Sequence, residues 1–513
     1  MIPFPRKRIV LSHLSFSLWF TLLLYLLDNA PVIDQVARWF PAADGTDYPA
    51  LIAWLVFGYA FFLAFFLLFA HRWTIKPMAV FLILTGAAAS YFIDKYGVAI
   101  DRSMVMNTLH TDPTEVTGLL SWQMLSYALV LVVLPLWLVL AVEIRFDRAP
   151  VYLGKSVAAF LLALVTAAGA LYAQYDSIHR AGNLSNKYIV HMLVPVNVIR
   201  SSLSVVQRSA QAWIREHREP VTVSGRVKQP RDQIVVLVVG ESSRQKSFSL
   251  YGYQRRNTNP VLSQIPDLAV LNGEARLGST LIALPEILEK DGLKLTTITS
   301  RLGVPTSCLV NYTLYDNCEE VGEIRVSNCG HGGKCYDEDV IPMLRKSLEA
   351  YAGGPRLVVL HLGGGSHGPT YRDRYPPEFQ KFNPQCEDAD VINQCTPDEL
   401  YNSYDNTILY VDHVLGRIID TLQASKRPYT MIYLSDHGES LLEEGRVFHG
   451  MPPGIALPPE QAQIPLLVQS SVPIRIEPRE VYSQSDVFDS VLELLDIEVD
   501  GLSTDGAFIR RTP

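Results

Sequence analysis

The sequence predicts a two-part protein: a five-helix N-terminal transmembrane domain, then an α/β domain built on a mainly parallel sheet covered by helices on both faces. Three observations predict it. Five long apolar segments fall in the first third of the 513 residues, short β-rich runs alternate with helical patterns after residue 231, and all six cysteines lie in the later part.

The apolar segments are Ile9–Leu27, Ala50–Ala70, Pro77–Ile93, Tyr127–Ile144 and Ser156–Tyr172, each near the ~20 residues a helix needs to cross the hydrocarbon. No small-residue cleavage site follows the first, so it reads as an uncleaved anchor rather than a signal peptide. Cationic flanks set the orientation. Arg6, Lys7 and Arg8 precede the first span, Arg72 and Lys76 separate the second from the third, and Arg145, Arg148 and Lys155 separate the fourth from the fifth. The other two loops hold fewer cations, Arg38 in one and Lys95 and Arg102 in the other. The N-terminus is therefore expected inside, and everything after residue 176 outside.

Cysteine usage agrees with that topology. Cys308, Cys318, Cys329, Cys335, Cys386 and Cys395 form an even set confined to the exported part, as disulfides in an oxidising compartment require. Six cysteines permit 15 connectivities; their order suggests three short loops, 308 with 318, 329 with 335 and 386 with 395. A zinc cluster is the competing reading, but the spacings are irregular and no CxxC pair is present. A net charge of -8 excludes nucleic acid as an expected partner.

The chain divides into a transmembrane part (1–175), an amphipathic bridge suited to the membrane surface (176–230) and a catalytic domain (231–513). In the last, the runs "IVVLVVG" (234–240), "KLTTIT" (294–299), "RLVVLHL" (356–362), "TMIYLSD" (430–436) and "IPLLVQS" (464–470) read as buried strands. Between them lie helical patterns such as "VIPMLRKSLEAY" and "LYNSYDNTILYVDHVLGRIIDTLQAS".

In such sheets the site lies beyond the carboxyl ends of the strands. Glu241 stands one residue past the first strand, "LVVLHLGGGSHGP" leads to His367, and "MIYLSDHGES" leads to Asp436 and His437, with His449 twelve residues further on. Each alone is weak, because a strand-end Asp commonly caps a helix. Together they are oxygen and nitrogen ligands suited to Zn²⁺ or a similar divalent ion. A hydroxyl at a helix start completes the set: Thr280 in "ARLGSTLIALPEIL", where backbone N–H groups and the helix dipole favour phosphate. Ser242, Ser243 and Ser279 are rivals for the nucleophile, with Ser242 and Ser243 better suited to capping.

The motifs "VVGESSR", "GST....P", "HGPTYRDRYPPEFQKFNPQCE", "NSYDNTILYVD", "YLSDHGES" and "FHGMP", in this order after five spans, resemble the phosphoethanolamine transferases that modify lipopolysaccharide, within the alkaline phosphatase/sulfatase superfamily. The resemblance spans nearly the whole chain. It implies metal ligation by Glu241, Thr280, Asp436 and His437, with Thr280 as nucleophile. His367 and His449 match histidines that bind a second metal or the substrate phosphate. In "YFIDKYGVAIDRSMVMNTLHTDPTEV", Asn107 and Glu115 correspond to residues that contact the donor headgroup.

It further implies a Zn²⁺-dependent, multi-pass, monomeric enzyme of the Gram-negative inner membrane with its catalytic domain in the periplasm. The implied reaction transfers phosphoethanolamine from phosphatidylethanolamine, through a threonine ester, to lipopolysaccharide (lipid A or core) or another lipid-anchored glycan, releasing diacylglycerol. Leu277 and Glu286 stand where lipid A-directed members carry a cysteine pair, and "LGVPTSCLVNYTLYDNC" replaces an Asn-rich stretch, so acceptor choice is open. The rivals are a glycerophosphate transferase of lipoteichoic-acid-synthase type, against which the six cysteines and "NPQCE" speak, a membrane-anchored phosphodiesterase or sulfatase, and a non-catalytic module.

Overall fold

The computed structural model describes residues 9–43, 45–110, 122–185, 188–216, 223–310, 318, 321, 323–326, 336–363, 371–388 and 391–512. They form two compact units, Met1–Trp213 and Ile214–Pro513.

In the first unit, five helices among the described residues are long and apolar enough to cross a bilayer. They are α1 (His13–Ala37), α2 (Tyr48–Leu68) and α3 (Ile75–Tyr96), then, after the short α4 (Arg102–His110), α5 (Met124–Ala141) and α6 (Ala149–Ala173). Helix α2 has no polar face. Trp54, Phe62 and Phe66 pack inward, whereas Ile52 and Leu68 remain exposed, an outer surface that only lipid can cover. Two polar side chains inside the bundle bond to backbone, as a dry medium favours. The Tyr25 hydroxyl donates to Leu55 O (2.9 Å), and Asn29 exchanges hydrogen bonds with the backbone of Val194 (2.5 and 3.0 Å).

The chain leaves the bundle through α7 (Tyr175–Leu184) and α8 (Val196–Glu216). This segment is fastened to the turn before α4: Tyr188 Oη donates to Gly97 O (2.5 Å) and Ser201 Oγ to Ile100 O (3.1 Å). Leu203 and Val206 on α8 stay exposed beside polar neighbours, the pattern of a helix lying in an interface.

The second unit is built on an eight-stranded sheet among the described residues. Its strands are β1 (Gln233–Gly240), β2 (Ala269–Glu274), β3 (Thr306–Val310), β4 (Glu323–Val326), β5 (Pro355–His361), β6 (Tyr429–Ser435), β7 (Gln463–Ser470) and β8 (Tyr482–Ser483). Their order is β4-β3-β5-β1-β6-β7-β2-β8, and β7 alone runs against its neighbours. The central strands are predominantly apolar because both faces are covered, with Gln233, Thr430 and Ser435 among the buried exceptions. Val235, Leu237 and Val239 of β1 join Ile287 of α9 (Thr280–Leu288), Ile298 of α10 (Leu295–Arg301) and Phe488 of a later helix (Asp486–Leu494) in one core; the alternate residues Val236 and Val238, with Met431 and Tyr433 of β6, are equally buried. The predicted helices over 340–351 and 400–425 are present as α11 (Val340–Glu349) and α12 (Pro397–Ala424).

One expected strand is a helix. "KLTTIT" is rich in β-branched residues, yet Leu295–Arg301 coils as α10, with Thr299 Oγ1 donating back to Leu295 O (3.1 Å) and Thr296 O (3.0 Å). Burial of Leu295 and Ile298 beneath the sheet outweighs a propensity worth at most ~1 kcal/mol. Two of the three expected disulfides are present, Cys308–Cys318 and Cys386–Cys395, while Cys329 and Cys335 lie outside the described residues.

Candidate active site and metal cluster

The site is assembled at the carboxyl ends of two adjacent parallel strands. Gly240 of β1 and Ser435 of β6 are register partners, and the ladder continues as Asp436 N donates to Gly240 O (3.0 Å). Glu241, Asp436 and His437 therefore emerge side by side. Ser242 takes a left-handed turn (φ 52°), its N–H donates to Asp436 Oδ1 (2.9 Å), and its hydroxyl donates to Glu241 Oε1 (2.7 Å). Ser243 N donates to Ser435 Oγ (2.8 Å). The serines thus brace the turn, as the sequence suggests.

Thr280 is the first residue of α9. Its Oγ1 donates to the Glu241 carboxylate, 2.9 Å from Oε2 and 3.1 Å from Oε1, and lies 3.5 Å from His437 Nε2. Gly278 before it has no positive φ and sits in close quarters, where a Cβ would meet Leu457 Cδ2 at 2.9 Å and make that side chain shift. Gly438 is required, since a Cβ there would fall 2.1 Å from Glu460 O.

Glu241, Asp436 and His437 are buried to 2% exposure or less. His437 Nε2 lies 3.2 Å from Asp436 Oδ2 and 3.6 Å from Glu241 Oε1, while its Nδ1 hydrogen bonds Gly438 O (3.0 Å). That second bond holds the tautomer with the Nε2 lone pair turned toward the carboxylates, the arrangement a metal-binding histidine needs. Burial and the Glu241 carboxylate raise the Asp436 carboxyl above its ordinary range, against the pull of His437. Burial lowers His437, but Asp436 and Glu241 outweigh it and the imidazole is raised. Two buried carboxylates sharing one imidazole have a charge excess that a divalent cation would neutralise, and the donor set of oxygen and imidazole nitrogen fits one.

His449 joins this cluster. Its ring lies 4.2 Å from that of His437, and one donor atom each from Glu241, His437 and His449 fall within 4.8 Å of one another. Of the other anticipated residues, Asn107 falls in α4, and His367 and Glu115 lie outside the described residues.

Several neighbours are not evident from the sequence. His361 ends β5, where burial lowers its imidazole against the pull of Glu241. Glu439 and Tyr371 contact the segment carrying His449. Arg244, 1% exposed on its side chain, bonds Glu443 Oε1 (2.7 Å) and Ser247 Oγ (2.8 Å) and lies between the rings of Tyr401 and Tyr404 (5.2 and 5.3 Å). Burial pulls its guanidinium down, and Tyr404 and Glu443 more than offset this. The sequence signal for Arg244 and Glu439 was their place inside "GESSR" and "SDHGES", and for His361 and Tyr371 their place inside "RLVVLHL" and "HGPTYRDRYPPEFQKFNPQCE".

Known proteins resemble the chain over both of its parts. The family "Phosphoethanolamine transferase EptA/EptB" matches residues 59–210 and "Sulfatase" matches 277–497. The chain is 31% identical to phosphoethanolamine transferase EptA of Escherichia coli strain K12, over 96% of this chain and 95% of that one. It is 29% identical to phosphatidylethanolamine transferase Mcr-1 from Escherichia coli, over 94% of each. Among solved structures, the integral membrane lipooligosaccharide phosphoethanolamine transferase A (EptA) of Neisseria meningitidis superposes with a TM-score of 0.83 at 25% identity, covering 98% of this chain and all of that one.

Proposed function

Because the chain belongs to the phosphoethanolamine transferases of the alkaline phosphatase/sulfatase superfamily, we propose that it moves phosphoethanolamine from phosphatidylethanolamine to a lipid-anchored glycan, lipopolysaccharide at lipid A or core. Thr280 is the nucleophile. Residues 1–175 form the membrane part, 176–230 the bridge and 231–513 the catalytic domain. The five spans and their cationic flanks support an inner-membrane enzyme of a Gram-negative cell with the catalytic domain in the periplasm. It acts as a monomer.

The observation that carries this reading is the Thr280 hydroxyl, at a helix start, donating into the Glu241 carboxylate 2.9 Å away and facing His437 Nε2 at 3.5 Å. Glu241, Asp436, His437 and the Thr280 hydroxyl would hold the metal ion, assigned as Zn²⁺, which when bound lowers the hydroxyl's pKa and offsets phosphate charge. Thr280 Oγ1 gives up its proton and forms a bond to phosphorus, while the bond from phosphorus to the glyceryl oxygen breaks and diacylglycerol departs protonated. The phosphoethanolamine–threonine ester is then attacked by an acceptor oxygen, which restores the hydroxyl. His449, with His367, binds phosphate oxygens and carries protons. Asn107 and Glu115 bind the donor headgroup, Glu115 as a carboxylate for the ammonium. A bilayer tether suits two substrates confined to one plane, since it removes much of the encounter cost.

Mass spectrometry of lipopolysaccharide from cells expressing the chain or its Thr280→Ala variant tests this directly. Added phosphoethanolamine is expected with the intact chain alone.

A further inference from the structure

Glu439 is fully buried, two residues beyond His437, and no role has yet been attached to it. Both of its oxygens are engaged. Oε2 lies 2.7 Å from His449 Nδ1, and Oε1 accepts a hydrogen bond from the Tyr371 hydroxyl at 3.1 Å. A carboxylate only accepts, so His449 Nδ1 is the protonated nitrogen, and Nε2 is the one that keeps its lone pair. Among the described residues, the three-residue cluster of donor atoms comprises Glu241, His437 and His449, with Asp436 and Glu439 both outside it.

The surroundings leave this carboxylate little freedom. Tyr371 is 1% exposed, and its ring meets Tyr404 edge-on (5.5 Å, 89°) and lies against Phe448 (6.4 Å). Burial, and then the Glu439 charge, push the Tyr371 phenol far above its ordinary range, so it stays a donor. On the other side, the backbone turns through left-handed positions at Phe448 (φ 65°) and Gly450 (φ 114°), on either side of His449. A non-glycine residue is held there only where neighbours over-determine it. The Arg244–Glu443 pair (2.7 Å) fastens the same loop.

We infer that Glu439 is a positioning residue: it holds His449 in the Nδ1–H tautomer, with Nε2 aimed into the site, and Tyr371 fixes the carboxylate that does so. The inference rests on the reading of His449 as a residue that handles phosphate. Glutamine at 439 keeps the shape but can present its amide N–H to Nδ1, which would reverse the tautomer.

The test uses the full chain in detergent micelles containing acyl-labelled phosphatidylethanolamine, and follows release of labelled diacylglycerol with water as the acceptor that regenerates the Thr280 hydroxyl. Glu439→Gln is expected to lower kcat roughly 10- to 100-fold, with KM, bound metal and thermal midpoint unchanged. Glu439→Asp should recover part of the loss, and Tyr371→Phe should lose less than Glu439→Gln. The inference is overturned if Glu439→Gln keeps the parent kcat while His449→Gln is inactive, a result that leaves the reaction itself standing. It is equally overturned if Glu439→Gln sheds metal in proportion to activity, since Glu439 would then be a ligand. Full turnover by His449→Gln would overturn both this inference and the role of His449, without touching Thr280.

Discussion

Thr280 Oγ1 and Glu241 Oε2 lie 2.9 Å apart although 39 residues separate them in the chain. The contact joins the start of α9 to the tip of β1 and aims a hydroxyl at the most acidic point of the site. Thr280→Ala should abolish transfer, a fall of roughly 10³-fold or more in kcat, with the thermal midpoint nearly unchanged. Thr280→Ser should keep measurable activity and trap a phosphoethanolamine ester visible as added mass on the intact protein.

Metal removal should act through the same residues. Chelation followed by buffer exchange should leave a folded, inactive protein, and stoichiometric Zn²⁺ should restore turnover. Asp436→Asn and Glu241→Gln should each lower metal content measured by plasma mass spectrometry. Full metal occupancy in both variants would refute the ligand assignment.

Arg244 should matter to stability more than to chemistry. Arg244→Met strands Glu443 and is expected to cost roughly 3 kcal/mol, read as a lowered thermal midpoint of the full chain. Adding Glu443→Gln should recover part of that loss, because the two residues act as a unit.

Asp412 supplies a pH signature. Burial pushes its carboxyl up to about 6, although the N–H groups of Leu262 and Val261, each 2.9 Å from its oxygens, oppose the rise. A carboxyl raised on folding contributes stability that is complete below its unfolded value near 3.9 and lost as pH rises through the folded value. Stability measured from pH 4 to 6 should therefore fall by of order 2–3 kcal/mol from this group. Asp412→Asn should be less stable overall but show a flatter profile across that window.

The Cys308–Cys318 bridge closes a loop of sequence separation 10. Loop-closure entropy assigns such a bridge roughly 2–3 kcal/mol. Cys308→Ala/Cys318→Ala should show that loss in denaturant unfolding. Activity toward the labelled donor should be retained below the new midpoint.

Much of this was legible in the sequence because it rests on strong local signals. Twenty-residue apolar runs, largely apolar strands and acidic or imidazole residues set just past strand ends need no tertiary information, so Glu241, Asp436 and His437 could be placed at one sheet edge from pattern alone. What escaped depends on contacts remote in the chain. Residues 295–301 coil because Leu295 and Ile298 are buried under the sheet, against their β-branched composition. Strands β3 and β4, five and four residues long, carry too short a run to stand out. Glu439 looked like one more polar residue of "SDHGES", and its meaning comes from His449 ten positions on and Tyr371 far upstream.

The pairing of Gly240 with Ser435 also bears on engineering. Glu241 and the Asp436–His437 dipeptide are held in register by main-chain ladders of β1 and β6, so their spacing does not depend on side chains elsewhere. The segment bridged by Cys308 and Cys318 leaves from β3, two strands away from β1. Exchanging this segment is therefore expected to leave the spacing of Glu241 and the Asp436–His437 dipeptide unchanged.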